Sequence, residues 1–383
     1  MTSSALTRPG ERQRLVSKLA EIDWRMAFLL CAIAGIGAMM LYSIANSDWQ
    51  PWAAKHLIRF ALCFGVMLAL ALVDLRVWYT LAYPVYAVGF VLLLAVEAVG
   101  RTALGATRWL ELGPISIQPS EIMKIGLVLS LARFYHGLSA EDAKLSWKLL
   151  IPAGLIGAPM LLVAHQPDLG TALLLAFTGA GVMFMAGLSW RILAVGAIGA
   201  LAAIPPFVLF VLKDYQRDRV LTFLNPEADP SGTGYHILQS KIALGSGGLL
   251  GKGYGLGSQS QLNFLPEKHT DFIFATFAEE FGFVGCFGVL IIYGVLIAMA
   301  LRTAHVAHSH FGRIAAAGVT ATFSLYILIN GAMVMGLAPV VGVPMPLLSY
   351  GGTMMVTVMI GFGLVQAVRV HRYEEMPRGG ALL

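Results

Sequence analysis

The stretch FLPEKHTDFIFATFAEEFG, residues 264–282, sets Glu267, Lys268, His269 and Asp271 in front of an apolar run and then places Glu279 and Glu280 inside that run. Carboxylates at membrane depth cost about 2.5–3.5 kcal/mol each on insertion scales, so they usually mark a pathway or a reaction site. Asp271 stands where polar loop becomes apolar helix, a position that fits a general base for a hydroxyl group. His269 is the rival base, and its other reading is a hydrogen-bonding anchor at the membrane interface. For the loop charges as a group, among them Lys268, the bland reading is a solvated surface of mixed sign.

A second group is IQPSEIMKIG, residues 117–126. Pro119 suits a first helical turn, where its missing N–H costs nothing. Glu121 lies near the positive end of that helix, and Lys124, three residues on, shares its face. The pair reads either as a buried ion pair that fixes packing or as a cavity cation that meets a pyrophosphate. Arg108, in GATRWLELG just upstream, serves the same anion at the interface in the second reading. A third group is MGLAPVVGVPMPLLSYGGT, residues 335–353, where three prolines and paired glycines break helix at membrane depth. Such backbone is tolerated only under protein cover or along a watery cavity. It is a re-entrant connector, or it presents Ser349 and Tyr350 to a sugar or phosphate.

Seven glycines fall between Gly245 and Gly257. This is not a Walker loop, since Ser246 holds the required first glycine and Gly253 follows Lys252. The run either bends tightly or offers backbone N–H groups to a phosphate or sugar. His165 and Asp168 fit a capping and packing role better than a metal site, because two ligands in one tight turn make weak coordination.

The elements that position these groups are membrane helices. The chain has 383 residues, 57% of them hydrophobic and only 12% charged. Soluble domains carry about a quarter charged residues. Apolar runs of about 20 residues place ten spans near 25–46, 56–74, 79–99, 119–137, 148–164, 169–188, 191–212, 272–300, 313–334 and 348–368. With the N-terminus inside, inner segments hold 15 of the 26 Lys and Arg, and six of the outer ones lie in the single long loop 213–271. Long loops weigh little in the positive-inside rule, so both termini fall on the cytoplasmic side. That reading also explains the net charge of +5 better than a nucleic-acid partner does. The three cysteines show neither metal spacing nor a disulfide framework. A loop as long as 213–271 is usually functional. The fold class is therefore all-α and integral to the membrane, with residues 1–24 and 373–383 as tails around one transmembrane domain, 25–372.

The strings QPSEIMK, FLNPEADPSGTGYHILQSKIALGSGGLLGKG, QSQLNFLPEKHTDFIFATFAEEFG and PVVGVPMPLLSYGG, in that order, resemble the SEDS family of bacterial peptidoglycan glycosyltransferases. The resemblance runs from about residue 20 to 372, and the unbroken GYHILQSKIALGSGGLLGKG segment looks like the elongation branch. Ser258 stands where Thr is common before QSQL, a minor departure.

The resemblance implies a ten-helix fold in the bacterial inner membrane that polymerises lipid II on its outer side. It maps the essential carboxylate to Asp271 and the buried Glu and Lys to Glu121 and Lys124. Arg219 and Glu267 match the family's loop arginine and glutamate positions. It implies inverting transfer from a polyprenyl pyrophosphate donor, and a class B penicillin-binding protein transpeptidase of the elongation machinery as partner. No tightly bound cofactor is expected, and a divalent cation would serve only pyrophosphate binding. The competing readings are a flippase or transporter for lipid-linked precursor, and a scaffold that only positions a transpeptidase.

Overall fold

The computed structural model describes residues 15–377 apart from 104–105, 113–114, 139–146, 211–216, 218–221, 224, 226–231, 263 and 266. Helices occupy all ten apolar segments. In chain order the elements are α1 (Leu15–Glu21), α2 (Trp24–Ile44), α3 (Ala53–Ala71), α4 (Leu75–Val99), strands β1 (Arg101–Ala103), β2 (Ala106–Leu112) and β3 (Ile115–Ile117), then α5 (Pro119–His136), α6 (Leu150–His165), α7 (Leu169–Met185) and α8 (Trp190–Phe210). Two shorter helices follow, α9 (Thr233–Ser246) and α10 (Ser258–Gln261), and then α11 (Ile273–Val306), α12 (His310–Val334) and α13 (Gly352–Val370). By length and composition, seven helices among the described residues can cross a membrane.

Helix α5 is not one of the seven. It carries Glu121, Lys124 and Arg133, and fourteen of its 18 residues are buried. A helix sheathed by other helices does not have to match lipid, so its polar content is compatible with a central place. Helices α4, α7 and α12 pack around it. Gly126 permits the closest approach, since a Cβ there would stand 2.8 Å from the Cα of Tyr86 on α4. Small residues at such crossings let backbones meet.

The all-α expectation needs one correction. Between α4 and α5 the chain forms an antiparallel meander in the order β1-β2-β3, with Leu110 opposite Ile117 and an irregularity between Arg101 and Thr102. Arg108 is on its central strand. The paired backbone gives Arg108 a firmer base than a loop would.

Helix α11 is broken at Gly282, whose φ of 64° and ψ of −164° are non-helical. An intact helix would bond Phe283 N to Glu279 O and Val284 N to Glu280 O. Instead Phe283 N donates to Gly248 O (2.9 Å) and Val284 N to Leu249 O (3.1 Å). The two stranded carbonyls accept from Lys252 N (2.9 Å) and Gly253 N (3.0 Å). The glycine run thus replaces the missing helical turn bond for bond, and its N–H groups at 252 and 253 serve the helix rather than a phosphate. No side chain fits between the two backbones. A Cβ on Gly251, whose φ is 81°, would sit 2.1 Å from Glu280 O. The long loop is also tied down elsewhere, with Ser240 on α9 donating to Val334 O at the end of α12 (2.9 Å).

Gly251→Ala is therefore expected to destabilise the protein by about 2 kcal/mol or more. Gly288→Ala, in the same helix with open space at its Cβ position, is expected to be neutral or slightly stabilising. Thermal unfolding of the purified variants in detergent checks the contrast.

Candidate functional site

The turn that aims Asp271 starts at Glu267, which holds a φ of 48°. Its carbonyl accepts from Thr270 N (3.1 Å) and Phe272 N (3.3 Å), and its carboxylate accepts from the Thr270 hydroxyl (2.9 Å). Glu267 itself is exposed. The turn delivers half-buried Asp271 to the N-terminal end of α11, where the helix dipole favours a negative charge. Asn330 on α12 fixes its backbone. The Asn330 amide donates to Asp271 O (2.8 Å) and to Val343 O (2.7 Å), tying the acid to the broken segment between α12 and α13.

Arg108 comes from the opposite side. Its Nε lies 3.2 Å from Asp168 Oδ2, a charge contact without the alignment of a hydrogen bond. Asp168 also caps α7, accepting from Thr171 N (3.2 Å). The capping role expected for this turn is present, with an ion pair added to it. Gly342, φ 71°, lies beside the Asp271 and Arg108 side chains. Its missing Cβ would be 3.6 Å from Asp271 Oδ2 and 3.7 Å from Arg108 Nη1, so at most about 7 Å separates acid from cation.

Lys124 and Glu121 lie deeper. Lys124 Nζ donates to Glu121 Oε1 (2.6 Å) and to the Tyr326 hydroxyl (2.7 Å), and that hydroxyl donates to Glu121 Oε2 (2.9 Å). All three side chains are buried. Tyr326 and Asn330 are four residues apart on α12 and share a face, so this closed triad stands one turn, about 6 Å, from the clamp on Asp271. Lys124 also borders a small apolar cavity lined by Val128, Phe323 and Phe362.

The other predicted residues fall into two groups. His269 and Lys268 stay close to the acid. The His269 ring stacks on Trp52 at 4.6 Å, its carbonyl accepts from Tyr350 N (2.9 Å), and burial lowers its pKa, which keeps the imidazole neutral near pH 7. Lys268 Nζ donates to Ser260 O (2.5 Å), and burial lowers its pKa as well. Tyr350 lies under the Arg59 guanidinium, 4.9 Å from ring centre to Cζ. Ser349 is buried and its hydroxyl accepts from Met345 N (2.8 Å), which closes the turn. Arg219 lies outside the described residues. Among the described residues, no three His, Cys, Asp or Glu side chains converge to hold a metal.

Glu279 and Glu280 are latches. Glu279 Oε1 accepts from Lys252 Nζ (2.6 Å), Ser258 Oγ (3.0 Å) and Gln259 N (3.1 Å). Glu280 Oε1 accepts from Ser43 on α2 (2.6 Å). Sequence reasoning missed Tyr326, Asn330 and Asp168 as site residues. Thr322, Tyr326 and Asn330 do form a polar stripe at four-residue spacing in an apolar helix, a signal that would have found two of them.

Residues 22–374 match the family described as FTSW_RODA_SPOVE, cell cycle protein. The chain is 44% identical to the peptidoglycan glycosyltransferase MrdB of Escherichia coli K12, covering 92% of this chain and 94% of that one. A probable peptidoglycan glycosyltransferase FtsW of Alkalilimnicola ehrlichii is 37% identical over 92% and 90%. Among solved structures, a chain of a peptidoglycan synthase complex that coordinates polymerization and crosslinking superimposes with a TM-score of 0.77 at 34% identity, covering 92% and 99%. The rod shape determining protein RodA of Thermus thermophilus gives 0.70 at 32%, covering 92% and 98%.

Removing one member of the buried triad exposes its cost. Lys124→Ala leaves Glu121 charged and buried with only Tyr326, and is expected to destabilise by about 3–5 kcal/mol. The double variant Glu121→Gln, Lys124→Met removes both charges and is expected to recover a large part of that loss. Thermal unfolding of the three proteins in one detergent decides it.

Proposed function

The chain belongs to the FtsW, RodA and SpoVE family, and from that membership we propose that it is a peptidoglycan glycosyltransferase of the elongation type that polymerises lipid II during cell elongation and shape maintenance. The observation that carries the chemistry is the convergence of the acid and the cation beside Gly342, at most about 7 Å apart. On this reading the helices in the ten apolar segments are ten spans of the bacterial inner membrane, both termini cytoplasmic, with the 213–271 loop and the site on the outer side. Residues 25–372 form the transmembrane domain, and the tails are 1–24 and 373–383.

Asp271 accepts the proton of a GlcNAc 4-hydroxyl as that oxygen bonds to the anomeric carbon of the donor sugar. The bond from that carbon to the polyprenyl pyrophosphate breaks in the same step, which inverts the anomeric configuration. Negative charge gathers on the departing pyrophosphate, and Arg108, already held by Asp168 and β2, is placed to stabilise it. A pre-aligned cation in a site of low dielectric needs little reorganisation. Asn330 keeps Asp271 in register with the Gly342 turn. Lys124 and Glu121 act from below by holding α5 to α12 through Tyr326. Lys268 and Glu267 shape the turn, and His269 and Tyr350 wall the acceptor side.

The donor arrives activated, so no tightly bound cofactor is needed, and any divalent cation rides on the pyrophosphate. The partner is a class B penicillin-binding protein transpeptidase of the elongation machinery. A flippase reading has less support, because the relatives named above carry glycosyltransferase names and the buried Lys124 is closed by its own bonds to Glu121 and Tyr326.

Asp271→Asn keeps the shape of the side chain but cannot take the proton, and is expected to lower glycan synthesis from lipid II at least about 100-fold. His269→Gln keeps the carbonyl that receives Tyr350 N and is expected to retain most of the activity. Gel analysis of glycan product from the purified complex distinguishes the two bases. Equal loss in both variants would remove Asp271 from its special place.

A further inference from the structure

We propose that the glycine-rich loop around residues 247–256 is a membrane anchor, with Leu249 and Leu250 inserted among the acyl chains of the outer leaflet. The inference rests on the reading of α11 as a membrane span. It concerns a surface that plays no part in the proposed chemistry.

Backbone pairing fixes the height of these two leucines. Gly248 O and Leu249 O accept from Phe283 N and Val284 N, so Leu249 and Leu250 lie level with the start of the unbroken part of α11. Arg302, near the other end of that helix, follows Phe283 by 19 residues. At about 1.5 Å per residue this is about 28 Å, the thickness of a hydrocarbon core of about 30 Å. With the Arg302 guanidinium at the inner boundary, the leucines fall at the outer one.

The exposure pattern changes at the same level. Ile273 through Glu280 are all buried under the loop and neighbouring helices. From Phe283 onward the outward face is bare and apolar, with Phe283, Val284 and Phe287 exposed. Leu249 and Leu250 continue that face at 72% and 80% exposure. Leucines so exposed in a loop that faced water would forgo the gain of burying their side chains. Charge is compatible with the placement: Lys252, the cation of this segment, is paired with the buried Glu279. The anchor would hold the loop against the break in α11 and so steady the helix end that carries Asp271.

The test uses the full chain in lipid nanodiscs with Cys31, Cys63 and Cys286 replaced by Ala. A nitroxide is attached at Leu250→Cys, at Phe287→Cys as a lipid-facing reference, and at Asp48→Cys as an aqueous one. Leu249→Cys is a second reporter of the same surface if Leu250→Cys folds poorly. Accessibility to oxygen and to a water-soluble nickel chelate is measured by electron paramagnetic resonance. The expected result is that positions 250 and 287 favour oxygen while position 48 favours nickel. Nickel preference at 250 with oxygen preference at 287 overturns the anchor and leaves the span intact. Exclusion of both reagents at 250 means that protein covers the leucines, which also overturns it. Nickel preference at 287 removes the span, and the anchor with it.

Discussion

Polar groups next to hydrocarbon must find partners within the protein, and this constraint shapes everything near the site. The break in α11 strands two carbonyls and two N–H groups at one level. The glycine run meets all four, and it can do so only because no side chain intervenes at Gly251 or Gly282. Glu279 then secures the following residues through Lys252, Ser258 and Gln259. The loop is therefore part of the helix end that presents Asp271, and its position does not depend on loose surface contacts. The same rule governs the broken segment between α12 and α13. There the carbonyls of Val343 and Pro346 accept from Asn330 and from Tyr293 on α11.

Helix α12 connects the levels of the site. Tyr326 closes the buried pair of Glu121 and Lys124, and Asn330, one turn away, holds the backbone of Asp271. A change in how α5 meets α12 would reach the acid through two adjacent side chains of one rigid helix. Arg108 reaches the same place by a separate route, through the meander and Asp168 on α7. Acid and cation thus belong to different supports and come together beside Gly342. That arrangement suits a reaction in which two lipid-linked substrates approach one point from different sides.

The helices were legible because lipid imposes a length and a composition. The run expected at 25–46 is the helix Trp24–Ile44, and that expected at 313–334 lies within His310–Val334. The meander was not legible: strands of three and seven residues in a short connector leave little periodicity to read. At the site, Asp271, Lys124 and Arg108 stood out because charges are rare in this chain. Their holders did not. Tyr326 and Asn330 are uncharged and sit inside an apolar run, so their spacing was the sole clue. Glu279 and Glu280 invited a reactive reading because their partners are remote in sequence, Lys252 lying 27 residues before Glu279 and Ser43 lying 237 before Glu280. Pairing over such separations is decided by packing, which no local pattern records. Ser349 has a near partner that the sequence did not announce, Met345 N, which donates to its hydroxyl within the turn.

The central claim is that Asp271 and Arg108 share one reaction space, the acid for the acceptor sugar and the cation for the donor pyrophosphate. The most direct measurement is a cryo-electron microscopy structure of the chain with the proposed transpeptidase partner and a non-hydrolysable lipid II analogue in both sites. The account predicts the acceptor 4-hydroxyl within hydrogen-bonding distance of the Asp271 carboxylate, with a pyrophosphate oxygen on Arg108 and Gly342 between them. A complex with both sugars away from Asp271, its carboxylate closed in a salt bridge to Arg108, would contradict it.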